Sequence, residues 1–170
     1  MLPEPWLRGP IAGVNPLITP VLYAFQQARE DLAQCTHALT TEQLWAAPHG
    51  FASVGFHIRH IAGSTERLAT YLEARELTPT QLLALEAESQ PGTATRDELL
   101  ILLDASLRYA ESVVRGIDPA ALTEPRYVGR KKMPSTVIGL LTHIAEHTQR
   151  HVGQAITTAR WITATTPKME

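Results

Sequence analysis

A chain of 170 residues fits one domain of ordinary size and can bury a core without disulfide or metal staples. With 44% hydrophobic and 19% charged residues it has the make-up of a soluble globular protein, and a formal net charge of −2 gives no long-range attraction to nucleic acid or an anionic membrane surface. The single cysteine, Cys35, excludes an intrachain disulfide and suits the cytoplasm; no signal peptide is recognisable, and the apolar stretches are too short and interrupted to span a bilayer.

Residues 1–16 hold Pro3, Pro5, Pro10 and Pro16, and read as an extended arm because proline fixes φ and lacks an N–H. A first helix is expected from Pro20 to Leu39, with Leu22, Phe25, Leu32 and Leu39 at near-helical spacing. Thr40 or Thr41 then caps a short turn of helix, which Pro48 and Gly50 break. Ser53 is a good N-cap for a second long helix ending near Arg75, whose apolar stripe is Val54, Ile58, Ile61, Leu68 and Leu72.

Thr78 to Glu88 is a short helical patch with proline at its start, followed by the loop SQPGTAT. Thr95 and Glu98 form a capping box for a third long helix through Leu99, Leu102, Leu103, Leu107 and Val114 to Gly116. From Asp118 to Lys132 the chain reads as irregular, with the basic run GRKK as a solvated loop. A fourth long helix follows Pro134 and Ser135 and runs to about Ile162, leaving the polar tail TATTPKME to fray. No β-pattern stands out, so the expected fold is all-α: one four-helix-bundle domain spanning 1–170, with the arm at its start.

Histidine is the compositional oddity. Of seven, five lie in the segments HIRH and HIAEHTQRH. His147 and His151 are four apart, roughly 40° from each other around a helix, so both imidazoles can reach one ion. His143 lies one turn earlier on the same row. A third ligand has to come from another helix, and the second long helix offers His57 and His60. Three neutral imidazoles leave the ion's charge unneutralised and coordination positions open, which is the pattern of a catalytic rather than a closed structural site. HExxH is absent, so the zinc-protease pattern does not apply.

Two segments, SVGFHIRHIAGS (53–64) and LLTHIAEHTQRHVGQA (140–155), resemble motifs of the DinB/YfiT-like superfamily of metalloenzymes. In the first, His60 followed by Ile61 and Ala62 matches the family's ligand histidine. In the second, His147, His151, Gly153 and Gln154 match its HxxxH and following glycine–glutamine pair. The resemblance extends over about 40–164 in spacing.

What it implies is a four-helix bundle of unusual topology with a metal on three histidines, here His60, His147 and His151, in a protein that is often a homodimer. Characterised members include S-transferases that use bacillithiol or mycothiol and a mycothiol-dependent maleylpyruvate isomerase. Helical projection and motif diverge at one position: projection puts His57 nearer the apolar stripe, while the motif selects His60. His57 and His143 are then candidates for supporting or substrate-facing positions. Gln154 is a candidate to orient a ligand imidazole. Glu146 points about 100° away from its neighbour His147 and is not expected to be a general base. Trp45 and Trp161 are expected to pack, and Cys35 to be a small buried hydrophobe rather than a nucleophile.

The expected cofactor is a divalent metal ion, zinc before nickel, with a low-molecular-weight thiol as a cosubstrate. The expected activity is transfer of that thiol to an electrophilic small molecule. Metal-dependent hydrolysis uses the same ligands, and a non-catalytic metal-binding or stress-response protein is the alternative of a different class. Small molecules are the expected partners, with neither nucleic acid nor membrane, and a homodimer follows from family habit alone.

Overall fold

A computed structural model describes residues 3–165. Four long helices form the bundle: α1 (Thr19–Cys35), α3 (Val54–Leu72), α5 (Arg96–Arg115) and α6 (Val137–Thr165). Two short helices, α2 (Thr41–Trp45) and α4 (Pro79–Ala87), lie in the connections, as does a hairpin of β1 (Pro125–Val128) and β2 (Met133–Thr136). Around the bundle, α1 packs on α6, α6 on α3, α3 on α5, and α5 closes on α1. Of the links between successive long helices, only that from α3 to α5 joins strongly packed neighbours; α1 to α3 and α5 to α6 each cross to the opposite corner. Helix α2 and the hairpin lie in these two crossing connections, and α4 lies in the link between the neighbours α3 and α5.

Helices α2, α3, α4 and α5 each start at a polar cap. Ser53 accepts a hydrogen bond from Phe56 N, and Thr40, Thr78 and Thr95 form reciprocal capping boxes with Gln43, Gln81 and Glu98. The buried faces follow helical spacing: Val21, Leu22, Phe25, Ala28 and Leu32 on α1, Val54, Ile58, Ile61 and Leu72 on α3, and Leu99, Leu103, Leu107, Ala110 and Val114 on α5. With Ile144, Val152, Ala155 and Ala159 of α6 they make one continuous core. Burying each large side chain of this core contributes about 1.5–3 kcal/mol. None of the described helices is long and apolar enough to cross a membrane.

Three expectations change. The stretch read as irregular up to Lys132 contains strand β1, paired antiparallel with β2 in the register Pro125↔Thr136 to Val128↔Met133. Four-residue strands are too short to show alternation, so the signal was absent rather than misread. The basic run does sit in the exposed turn, with Gly129 at φ +71° and Lys132 N donating to Gly129 O at 2.9 Å. The hairpin also starts α6: Val137 N and Ile138 N donate to the carbonyls of Glu124 and Leu122, and Gly139 N to Thr136 Oγ1. Those are N–H groups that a helix end otherwise leaves without partners.

Second, the N-terminal arm is folded back rather than extended. Pro5–Leu7 is a 3-10 turn, Arg8 makes a two-pronged ion pair with Glu30 at 2.6 Å, and Tyr23 donates to Gly9 O. Third, helix ends move: α1 stops at Cys35 and α3 at Leu72, while α6 runs on to Thr165, so the first residues of the polar tail are helical. Positions 166–170 of that tail lie outside the described residues.

Candidate metal centre

The Ser53 cap fixes where α3 begins, and so sets His57 and His60 on its first turns. His147 and His151 occupy successive turns of α6, the helix packed against this stretch. One ligand atom each from His60, His147 and His151 lies within 4.8 Å of the other two. His60 Nε2 and His147 Nε2 are 3.4 Å apart. Two imidazole nitrogens on a tetrahedral zinc, each about 2.0–2.1 Å from it, would be about 3.3–3.4 Å apart. His60, the histidine that the motif selects, has a ring nitrogen close to both members of the α6 pair.

His57 has its own place. It is 4% exposed, the most buried of the five histidines, which is what helical projection detected. Its Nδ1 lies 3.0 Å from His151 Nδ1, so one of the two rings donates to the other. His143 stays outside the group: it is exposed, and its Nδ1 donates to Glu146 at 2.7 Å.

Burial, reinforced by repulsion from neighbouring imidazoles, lowers His57, His147 and His151 to about 4. All three are thus neutral at physiological pH and carry lone pairs. His147 Nδ1 is buried with no hydrogen-bond partner, which leaves Nε2 as the ring nitrogen facing the other histidines. Imidazole nitrogens converging at these distances can hold a divalent metal of the zinc, nickel, iron or copper type.

The surroundings come from far along the chain. His60 Nδ1 donates to Glu88 Oε2 at 2.8 Å, and Arg67 pairs with both oxygens of the same carboxylate. Burial opposes the Glu88 charge, but the hydrogen bonds from His60 and Arg67 outweigh it and hold the carboxyl below its usual range. Phe56 stacks parallel on His60 with ring centroids 5.4 Å apart. Neither Glu88 nor Phe56 stood out in the sequence. Glu88 lies 28 positions from His60 and was legible only as the end of a short helix.

Of the remaining expectations, Trp45 packs: its Nε1 donates to Ala94 O at 2.8 Å and the Arg59 guanidinium lies 5.0 Å above its ring. Trp161 does not; it is 49% exposed and meets only the edge of His49 among the ring contacts. Cys35 is half-buried against the core, and burial pushes its thiol up to about 11, consistent with an inert side chain. Gln154 is exposed on α6, and Glu146 is tied to His143 and Arg150.

Fold and site together define a helical-bundle protein built around a histidine cluster on two facing helices. The chain belongs to the DinB superfamily, whose family model matches residues 24–155. Among solved structures it is similar to YfiT from Bacillus subtilis, described as a probable metal-dependent hydrolase with an unusual four-helix bundle topology. That likeness has a TM-score of 0.64 at 17% sequence identity and covers 91% of this chain and 93% of that one. It shows a shared fold. No curated protein matches the sequence.

Proposed function

We propose that His60, His147 and His151 hold a divalent metal ion, zinc before nickel, and that the protein is a metal-dependent enzyme transferring a low-molecular-weight thiol to an electrophilic small molecule. The observation that carries the metal assignment is the convergence of three imidazoles from two helices, their ligand atoms within 4.8 Å. A bound cation would supply positive charge that lowers the pKa of a thiol brought to it.

The chain's own groups favour a thiol over water. Both carboxylates near the cluster are engaged, Glu88 by His60 and Arg67 and Glu146 by His143 and Arg150, so neither is free as a general base. A free thiol ionises near pH 8.5, within reach of cation stabilisation alone. His147 and His151 stay neutral donors, and Phe56 provides an apolar wall beside His60. Hydrolysis is the second reading, supported by the description of the similarly folded YfiT. A site in the cytoplasm, a small-molecule substrate and a homodimer complete the proposal, the last on family grounds.

Elemental analysis of the purified protein tests the metal. Cobalt-loaded protein titrated with cysteine, bacillithiol and mycothiol tests the chemistry. A new sulfur-to-cobalt charge-transfer band is expected with at least one of them. A visible spectrum unmoved by all three, together with turnover of 4-nitrophenyl acetate lost in His147→Ala, would replace the thiol reading by the hydrolytic one.

A further inference from the structure

We infer that Glu88 is a positioning residue that fixes the His60 ring, holding its hydrogen on Nδ1 so that the Nε2 lone pair faces His147. A carboxylate can only accept, so the 2.8 Å contact requires the hydrogen on His60 Nδ1. In the neutral ring the remaining lone pair is then on Nε2, the atom 3.4 Å from His147. A carboxylate bonded to the far nitrogen of a ligand imidazole sets its tautomer and raises its basicity.

The surroundings are built to deliver this one side chain. Glu88 is 5% exposed although it follows the exposed end of α4. Arg67, about two helical turns beyond His60 on α3, binds both of its oxygens. Gly63, between them, leaves the slot that the carboxylate fills: a Cβ there would lie 2.1 Å from Glu88 Oε1.

The backbone is clamped as well. Arg59 donates to the carbonyls of Glu88 and Gln90 while lying over Trp45, and Trp45 Nε1 anchors Ala94 O. Gly92 passes so close to Trp45 that a Cβ would sit 2.2 Å from the ring. The connection from α4 to α5 is thus strapped over Trp45, with Glu88 as the point that enters the site.

The tautomer can be tested without any metal. Its consequence for affinity rests on the metal centre proposed above. Long-range proton–nitrogen NMR of metal-free protein at about pH 8, above the ordinary histidine range, reads the His60 tautomer. Competition against a chromogenic chelator reads zinc affinity. Wild type is expected to show the Nδ1–H form, and Glu88→Ala a mixture with zinc binding weakened about 10- to 100-fold.

Because Glu88→Ala leaves Arg67 buried without its partner, Gly63→Ala is the second variant. Its Cβ would lie 2.1 Å from Glu88 Oε1 and 2.7 Å from Arg67 Nη1, so it shifts the ion pair away from His60 while removing no polar group, and should weaken zinc in the same way. Glu88→Gln keeps an acceptor and should restore the Nδ1–H form. A wild-type His60 carrying its hydrogen on Nε2, or zinc affinity unchanged in both Glu88→Ala and Gly63→Ala, overturns the assignment. Wild-type protein that binds no zinc refutes the metal centre instead, and the tautomer then decides the role of Glu88 alone.

Discussion

The molecule contains two His–Glu–Arg triads that differ in almost everything but composition. In one, His143 donates to Glu146 and Arg150 pairs with the same carboxylate, all within two turns of α6 and exposed. In the other, His60 donates to Glu88 and Arg67 pairs with it, the carboxylate reaching α3 from a connection more than twenty residues later. The first is a surface cluster: its side chains lie in high dielectric, screened by salt. The second sits where solvent is largely excluded, so each partner depends on the others to offset desolvation. Burial and long-range delivery, rather than the pairing itself, separate the two arrangements.

The largest expected contrast is in metal retention. His60→Ala or His147→Ala should weaken zinc binding more than about a hundredfold, beyond the loss of an outer hydrogen bond. His143→Ala should leave it unchanged. Equal losses in chelator competition for His60→Ala and His143→Ala would place the centre on the exposed row of α6 and end the comparison.

Next is stability. Arg67→Met strands the Glu88 carboxylate in the interior and should cost about 3–5 kcal/mol in urea unfolding. Arg150→Met in the exposed triad should leave the midpoint where it is. The pH dependence of the metal-free protein comes third. His57, His147 and His151 titrate at about 4 in the fold but near 6.5 when unfolded. The unfolded chain therefore takes up protons first as pH falls, so the stability these groups contribute is intact above pH 6.5 and declines down to about 4. His57→Phe should flatten part of that decline in a pH series of denaturation curves, and a slope unaltered by it would show that His57 is solvated.

The smallest effects concern glycine. Gly92→Ala, with its Cβ against Trp45, should destabilise by about 1–3 kcal/mol through overpacking. Gly153→Ala on α6 meets nothing within 4 Å and should stabilise by up to about 1 kcal/mol through helix propensity. Thermal melts of the two variants moving in the same direction would contradict the strap over Trp45.

Much of this was legible in the residues. The caps at Ser53 and Thr95, the four helices and their buried stripes are local: a hydroxyl three residues before an N–H, or an apolar side chain every third or fourth position, carries its meaning within one or two turns. The α6 pair His147 and His151 was legible for the same reason. His57 and His60 show where local reasoning stops. Periodicity alone favours His57, the more buried ring, which lies against His151, whereas the motif selects His60, whose ring lies near both His147 and His151. The hairpin left no trace because its strands are held by pairing with each other and by their junction with α6.

The sequence by itself determined the helices, their inward faces and the one-turn spacing of His147 and His151, since each depends on neighbours within a few positions. Only the tertiary structure decided that α3 lies beside α6, that His143 is left outside, and that Glu88 arrives behind His60. Those contacts join residues 28 to 94 positions apart, and nothing in the local pattern of either partner encodes the distance between them.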